Sequence, residues 1–279
     1  MSKNSEKQNN FKVKKYFGQN FLSDSFVVSK IFSSANLNKD TIVVEIGPGK
    51  GALTKELVKR AKKVIAYEVD KEVIPILLDG VSAKDNLEVI NEDILKADLS
   101  YLNDIEEELI TISNLPYYIT SPIIDLFLKK LTKIDRAIFM VQKEVADRLN
   151  AKVNTKDYNA FTILVQYEAD VKKLFDVKRT SFKPEPNVDS AVIEINKIKR
   201  SFRANDDKFF ERVVKSSFSE RRKTLVNNLS RDFKLIKDYL ASVLEELDLR
   251  VDVRAESLTI DDFIRLTNKL EELKWALKS

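Results

Sequence analysis

The stretch SNLPYYITSP, residues 113–122, begins at the last residue of the apolar run ELITIS. It continues with an amide, a proline and two tyrosines. The side-chain carbonyl of Asn114 and the backbone carbonyl of Leu115 could both accept from one exocyclic amine, which would orient the lone pair of its nitrogen. Pro116 would fix the turn, because its ring locks φ and it has no N–H to donate. Tyr117 offers a ring face for stacking a base. The pattern favours a site for a planar amine such as adenine N6, and a plain turn with Tyr117 in the core is the alternative.

A glycine-rich loop stands earlier in the chain, in EIGPGKGAL, after an apolar run and before a run with helical spacing. It contains Gly47, Gly49 and Gly51, three of the five glycines of the protein. Glycine allows a tight turn and a close approach of the backbone to a ligand beside the positive end of a helix. An ordinary strand-to-helix turn is the alternative, and the concentration of glycines disfavours it.

Acidic residues follow this loop at intervals that suit a nucleoside. Glu68 lies 21 residues after Gly47, at the end of the second predicted strand, where an acid can accept both hydroxyls of a ribose. Asp93, after the third strand, could accept from an adenine amino group, and Glu45 suits the ammonium of an amino-acid tail. The spacing G-x-G-x-G departs from the dinucleotide fingerprint G-x-G-x-x-G. The pattern therefore favours S-adenosylmethionine (SAM), which has a ribose, an adenine and an amino-acid tail but no pyrophosphate.

Each acid alone would be read as a helix cap or a surface side chain, and only their repetition changes that interpretation. The loop, the two acids and the amide each follow a successive strand, so they emerge at the carboxyl edge of one sheet, where open α/β folds bind ligands. Asp70 and Asp98 are predicted to be surface residues without a part in the site.

The elements that must position these residues alternate between strand and helix patterns, which predicts a parallel sheet covered on both faces. Strands are predicted at 41–46, 63–68, 87–93, 109–113 and 136–142. Helices are predicted at 23–36, with Asp24 or Ser23 as the cap, and at 51–61, 71–80 and 121–131. Residues 171–195 indicate two strands around a proline-containing loop, and the chain beyond residue 200 is helical and charged. We predict a basic mobile tail at 1–15, a ligand-binding domain at 16–199 and a helical domain at 200–279.

Composition excludes several classes of chemistry. The 279 residues contain no cysteine and no histidine, so disulfides, Cys/His zinc sites, a histidine base and a cysteine nucleophile are all absent. We expect no metal. The first residues have no apolar signal segment and no window could span a membrane, so a cytoplasmic protein is expected.

The net charge is only +4, but residues 196–223 contain ten Lys or Arg against four acids. Such a segment suits a polyanion, and a solvated helix face is the alternative.

Nine stretches of the chain resemble, in order, the bacterial small-subunit ribosomal RNA adenine N6,N6-dimethyltransferases. The stretch NLPYYI is similar to the N/D-P-P-Y/F motif of amino-methyltransferases. The nine stretches are FGQNFLSD (17–24), EIGPGKGALT (45–54), YEVD (67–70), NEDIL (91–95), SNLPYYITSPI (113–123), VQKEVADRL (141–149), SFKPEPNVDSAV (181–192), FSERRKTLVNNL (218–229) and RAESL (254–258). The resemblance implies an α/β fold with a Rossmann-like, mostly parallel SAM-dependent methyltransferase sheet and a smaller C-terminal helical domain.

The resemblance also implies an activity, a cofactor and a partner. The activity is dimethylation of N6 on two adjacent adenosines in a hairpin near the 3′ end of small-subunit ribosomal RNA, and the partner is the immature 30S subunit. Nothing demands more than a monomer. The implied cofactor contacts are Asn20, Leu22, Gly47, Glu68, Asp93 and Asn114.

The same resemblance assigns residues to the target base and to RNA. Phe182 is the second stacking ring, opposite Tyr117, and Arg221, Arg222 and Lys223 hold RNA phosphates. From the residues alone, Leu22 would be ordinary core packing and Phe182 could equally be a core aromatic. Tyr118 stands where many relatives carry a smaller polar residue, so its role stays open.

Three alternatives remain at this point. The related macrolide-resistance methyltransferases act on large-subunit RNA and share the cofactor motifs. A non-catalytic RNA-binding assembly or transcription factor could use the same fold, although the intact glycine loop and Asn114 argue against it. An NAD-dependent dehydrogenase is disfavoured by the glycine spacing and by the lack of histidine.

Overall fold

The computed structural model describes residues 20–82 and 84–276, which form two compact units. The first unit contains the described residues up to 146 and residues 170–197. The second contains residues 147–169 and the described residues from 198 onward. The tail predicted at 1–15 lies outside the described residues.

A seven-stranded sheet forms the centre of the first unit. Its strands are β2 (Ile42–Ile46), β3 (Lys63–Tyr67), β4 (Leu87–Ile90), β5 (Leu109–Asn114), β6 (Arg136–Gln142), β7 (Ala169–Val177) and β9 (Ser190–Lys197). Their order in the sheet is β4-β3-β2-β5-β6-β9-β7. The first five strands in this order pair in parallel and β9 runs antiparallel to β6, so the predicted α/β, mostly parallel sheet is confirmed. A separate antiparallel pair joins β1 (Phe21–Leu22) to β8 (Phe182–Lys183).

Helices alternate with most of the parallel strands, as the sequence pattern predicts, and the first of them precedes β2. They are α1 (Ser25–Ala35), α2 (Thr54–Arg60), α3 (Ile74–Gly80) and α4 (Thr120–Lys129), with 3-10 turns at Ser100–Asp104 and Tyr117–Ile119. The carboxylate of Asp24 accepts from the backbone N–H groups of Phe26 and Val27, which confirms Asp24 as the cap of α1. Apolar side chains such as Leu57 and Leu77 face the sheet and are fully buried.

Backbone hydrogen bonds continue beyond the strands at one edge of the sheet. The Gly47 N–H donates to the carbonyl of Tyr67 at 2.9 Å, and the Glu68 N–H donates to the carbonyl of Ile90 at 3.0 Å. The Leu115 N–H donates to the carbonyl of Met140 at 3.0 Å. These bonds hold the segments after β2, β3 and β5 at the same edge, so their first residues lie side by side.

The second unit is helical and has its own apolar core. Its helices are α6 (Ala160–Glu168), α7 (Asp207–Ser217), α8 (Leu225–Phe233), α9 (Lys237–Glu246) and α10 (Ile260–Ala276), and α5 (Lys143–Leu149) contains the first crossing of the chain between the units. Stacking of the Tyr167 and Phe210 rings, with centroids 4.2 Å apart, joins α6 to α7. The Tyr167 hydroxyl donates to Asp207 at 2.6 Å, which satisfies the polar end of a buried ring.

The division differs from the predicted boundary near residue 200, because residues 147–169 belong to the second unit. Ile163 and Tyr167 of α6 are buried in the apolar cluster of that unit, together with Phe210 and Phe263. The prediction followed the order of segments along the chain, whereas the unit is defined by which apolar faces pack together. The C-terminal helical unit therefore includes α6, a helix from the middle of the sequence.

Candidate active site

A cavity of about 410 Å³ opens at the carboxyl edge of the sheet in the first unit. Its size lies within the range usual for sites that bind small molecules. Every residue assigned above to the cofactor or to the target base lines it: Asn20, Leu22, Gly47, Glu68, Asp93, Asn114, Leu115, Tyr117 and Phe182. Residues separated by up to 162 positions in the chain therefore share one site.

The glycine loop forms one wall of the cavity in a conformation that requires glycine. Gly47, Gly49 and Gly51 have φ values of +66°, +55° and +80°. A Cβ on Gly51 would lie 2.6 Å from Leu77 Cδ1, so this glycine also permits close packing against α3. A Cβ on Gly47 would meet Pro116 at an ordinary 3.6 Å, so the positive φ is the reason for glycine at that position.

Glu68 is tied to the glycine loop. One of its carboxylate oxygens accepts from the N–H of Gly49 at 3.1 Å, and the other accepts from the N–H of Asp70 at 2.8 Å. The side chain is only 6% exposed, and burial raises its pKa. The two backbone donors orient the carboxylate, and each of its oxygens can accept a further bond, as two ribose hydroxyls would need.

Asp70 corrects one expectation, because it is not a surface residue. Its side chain is 2% exposed and accepts from the backbone N–H of Glu72 at 3.1 Å, at the turn that leads into α3. The prediction failed because an acid two residues after a strand has the same local sequence whether it caps a buried turn or faces solvent. Asp98, by contrast, is exposed as predicted.

Glu45 also lines the cavity but lies beneath the loop, with 1% of its surface exposed. The hydroxyl of Thr54 donates to its carboxyl group at 2.7 Å. Burial raises the pKa of Glu45 to about 8, and the nearby charge of Glu68 adds to the shift. The residue predicted for an ammonium group is therefore a buried carboxyl that keeps its proton at neutral pH until a cation approaches.

The segment after β4 supplies Asp93 and a residue that the sequence interpretation missed. The strand ends at Ile90, three residues earlier than predicted, and Asp93 follows in a turn in which its side chain accepts from the Leu95 N–H at 3.1 Å. Asn91 donates from its side chain to the carbonyl of Glu68 at 2.7 Å and so fixes the ends of β3 and β4 to each other. Asn91 is the first residue of NEDIL, one of the nine stretches that resemble the family, and this membership was the signal in the sequence that could have identified it.

Asn114 ends β5 at the cavity, half-buried, with its side-chain amide held by a distant residue. Its Nδ2 donates to the backbone carbonyl of Asn20 at 3.4 Å. A carbonyl can only accept, so this bond places Nδ2 toward Asn20 and leaves Oδ1 as the acceptor end of the amide. Leu115 also lines the cavity but is only 1% exposed, and acceptance of a ligand bond by its backbone carbonyl stays a prediction.

Tyr117 and Tyr118 follow in a 3-10 turn and differ in exposure. The Tyr117 hydroxyl is 2.7 Å from the hydroxyl of Ser190 on β9, which holds the half-buried ring at the cavity wall. Tyr118 is 53% exposed and also lines the cavity. Partial burial raises the pKa of Tyr118, and the charges of Asp93 and Glu68 raise it further.

Phe182 and Leu22 line the cavity and also belong to the apolar core. They are partners across the β1–β8 pair, with 2% and 6% of their surfaces exposed. The core-packing role that the sequence left open for both residues is therefore present in the structure. The proposed stacking of Phe182 on a target base stays a prediction.

Arg221, Arg222 and Lys223 lie in the second unit, in the turn between α7 and α8, and all three side chains are exposed. Arg221 donates to the backbone carbonyl of Lys156 at 2.6 Å, so it also stabilises the chain locally. Within residues 20–82 and 84–276, no group of three acidic side chains could hold a metal ion. No helix in that part of the chain is long and apolar enough to cross a membrane.

The residues of this cavity fit SAM. Glu68 would hold the ribose, Asp93 would accept from the adenine amino group, and Glu45 would meet the ammonium of the amino-acid tail. Val69, which is 46% exposed at the cavity, offers an aliphatic surface to a purine ring. Together with the mostly parallel sheet and the amide after β5, this arrangement defines a SAM-dependent methyltransferase.

Comparison with known proteins gives the family. The family model described as "Ribosomal RNA adenine dimethylase" matches residues 10–272, and the chain belongs to that family. Curated relatives named "Ribosomal RNA small subunit methyltransferase A" include proteins from Geobacillus sp. (strain WCH70) and Clostridioides difficile. The first is 43% identical over 94% of this chain and 93% of the relative, and the second is 44% identical over 93% and 91%.

Solved structures agree with this assignment. A dimethyladenosine transferase from Plasmodium falciparum matches with a TM-score of 0.75 and 30% identity, over 92% of this chain and 98% of the other. The 23S rRNA methyltransferase ErmE matches with a TM-score of 0.67 and 27% identity, over 90% and 100%.

Proposed function

We propose that this protein dimethylates N6 of two adjacent adenosines in a hairpin near the 3′ end of small-subunit ribosomal RNA, during assembly of the 30S subunit. The observation that carries the proposal is the placement of Asn114 at the cavity, with its Nδ2 bound to Asn20 and its Oδ1 as the acceptor end. An acceptor in that position selects an amine as the nucleophile. The name shared by relatives at 43–45% identity supports small-subunit RNA as the substrate.

The residues of this chain position the amine. Asn114 Oδ1 and the carbonyl of Leu115 accept from the two N6 protons, which turns the nitrogen lone pair toward the methyl donor. Tyr117, held by Ser190, stacks on the extruded base, and Phe182 faces it from the other side. When bound, SAM supplies an electrophilic methyl group on its sulfonium. The methylated amine would carry an acidic proton, which would leave to water.

This chemistry needs no strong base, which agrees with a chain that has neither histidine nor cysteine. The protein contributes by positioning the target amine against the methyl donor and by excluding water from the reacting atoms. A second transfer to the same nitrogen requires room for one N6-methyl group beside Asn114. We further propose that the enzyme is cytoplasmic and acts as a monomer. Size-exclusion chromatography with light scattering can test the oligomeric state.

The experiment is incubation of the protein with labelled SAM and 30S subunits that lack the modification, followed by nucleoside analysis. N6,N6-dimethyladenosine should appear in small-subunit RNA and not in protein-free large-subunit RNA. The Asn114→Ala variant is the matched control, which should bind the subunits but not label them. Labelling of large-subunit RNA alone would support the macrolide-resistance alternative, and SAM binding without any transfer would support a non-catalytic factor.

A further inference from the structure

The solvent side of α1 presents a stripe formed by Phe26, Ser29, Lys30 and Ser33, spaced as one helical face. Phe26 is 75% exposed, more than any other large apolar side chain that the structure describes. Single exposed apolar side chains are common on protein surfaces, so the case for a binding role rests on the position of Phe26 near a cavity residue in the sequence and on the charges around it.

The stripe begins beside the cavity. Ser23, which lines the cavity, lies three residues before Phe26, and its N–H donates to the carbonyl of Ser181 at 2.9 Å. Asp24 caps α1 and accepts from the hydroxyl of Ser181 at 2.9 Å. These bonds hold the first turn of α1 against residues 181–183, of which the last two line the cavity.

The charges around the stripe suit a polyanion. Helix α1 contains no acidic residue from Ser25 to Ala35, and Lys30 projects from the same face as Phe26, with its Nζ 4.1 Å from the ring centroid of Phe175. Lys183 is exposed at the cavity. Asp24, the acid at the start of α1, already accepts from two helix N–H groups and from Ser181. Asp176, which follows Phe175, is paired with Lys143 and Lys173.

The basic residues of the loop between β7 and β8 are already in ion pairs. Lys178 forms an ion pair with Asp189, and Arg179 forms one with Glu185. Lys30 and Lys183 are therefore the cations best placed to meet an added anion near Phe26. An aromatic face flanked by lysines is the arrangement that binds unpaired nucleic acid, because the ring stacks on a base while the cations meet phosphates.

We infer that Phe26 stacks on an unpaired RNA base next to the target adenosine and that Lys30 and Lys183 contact the phosphates on either side of it. The inference rests on the proposed function and adds to it an RNA contact outside the cavity. One ring flanked by two serines and a lysine provides too little apolar area for a stable protein interface, which favours RNA over a protein partner.

The test compares Phe26→Leu, which keeps an apolar side chain, with Phe26→Trp, which keeps an aromatic face. Loss of one stacked base corresponds to a factor of about 5 to 150 in affinity. Phe26→Leu should weaken binding to unmodified 30S subunits by at least about 5-fold, and Phe26→Trp should restore it. SAM affinity and the unfolding temperature should stay unchanged, because the ring is mostly exposed. Ile236→Val, at a 74% exposed apolar residue outside the basic segment 196–223, is the control and should have no effect.

Three outcomes would overturn the inference. Unchanged affinity of Phe26→Leu would rule out stacking. A lowered unfolding temperature together with lowered SAM affinity would show that the ring packs against its own chain. A photo-crosslinking amino acid at position 26 should crosslink to RNA, and a crosslink to a ribosomal protein would assign the surface to that partner instead. If the wild-type protein methylates 30S subunits while any of these results appears, the proposed function stands and only this inference fails.

Discussion

The side-chain amide of Asn114 donates to the backbone carbonyl of Asn20, although 94 positions separate the two residues. This bond joins the end of β5 to the segment just before β1 and fixes which atom of the amide can accept from a ligand. The acceptor proposed to orient the target amine is therefore set by a contact that no local sequence pattern contains.

Two replacements of Asn114 distinguish the role of its Oδ1 as an acceptor from the role of the Nδ2 bond to Asn20. Asn114→Ala removes both and should lower the rate of methyl transfer at saturating SAM by about 100-fold or more, because a misplaced nucleophile costs that much. Asn114→Asp keeps an acceptor but cannot donate to Asn20, so its rate should lie between those of Asn114→Ala and the wild type. Single-turnover measurement of label transfer to 30S subunits gives these rates. Equal rates for Asn114→Ala and the wild type would remove Asn114 from the mechanism.

The buried carboxyl of Glu45 should make stability depend on pH. Its pKa is about 8 in the folded protein against 4.5 as the ordinary value, so the folded state keeps a proton that the unfolded state releases. This contribution to stability is therefore fully present below about pH 4.5 and is lost as the pH rises toward 8, with a slope of up to about 1.4 kcal/mol per pH unit.

The variant that tests this is Glu45→Gln, whose amide oxygen can still accept from Thr54. Urea unfolding without cofactor, from pH 5 to 8.5, should show a smaller fall in the free energy of unfolding than the wild type shows. Glu106→Gln, at an exposed acid, is the control and should keep the wild-type dependence. An unchanged pH dependence in Glu45→Gln would show that this carboxyl ionises normally.

Two glycines of the loop should respond differently to alanine. Both have positive φ, which costs about 1–2 kcal/mol for a residue with a Cβ. Gly51→Ala should lose about 1–3 kcal/mol more than Gly47→Ala, because its Cβ would clash with the buried Leu77 whereas Gly47 has room. Urea unfolding measures both values. Leu77→Ala in the Gly51→Ala background tests the cause, since a coupling energy near zero would show that the clash is not responsible.

The exposed cations between α7 and α8 should set the salt dependence of RNA binding. The double variant Arg222→Ala/Lys223→Ala should reduce the slope of log affinity against log salt by about two, if each side chain meets one phosphate. Arg231→Ala is the control, because Arg231 is paired with Glu220 and Asp232. Filter binding to small-subunit RNA over a salt series gives the slopes. A double variant with the wild-type slope would show that these side chains, which lie in a turn and not on a helix face, are only solvated.

Much of the fold was predictable because its signals are local. Alternating apolar runs and helical spacing located β2, β3, β5 and α1 to within about two residues, and the capping role of Asp24 followed from its position before an apolar helix. The residues placed at the cavity were also predictable, since parallel strands bring the ends of successive strands to one edge.

Other features depended on contacts between distant segments. The burial of Asp70 and the link from Asn91 to Glu68 arise from the way β3 and β4 end beside each other. The assignment of α6 to the helical unit depends on which apolar faces pack together, and the order of the chain does not contain that information.

By itself, therefore, the amino-acid sequence determined the kind of sheet, the family and the set of side chains at its carboxyl edge, because each of these follows from short-range patterns. Only the tertiary structure decided the protonation of Glu45, the orientation of the Asn114 amide and the exposure of Phe26. Those three properties depend on burial and on partners far away in the chain, and such quantities exist only once the chain has packed.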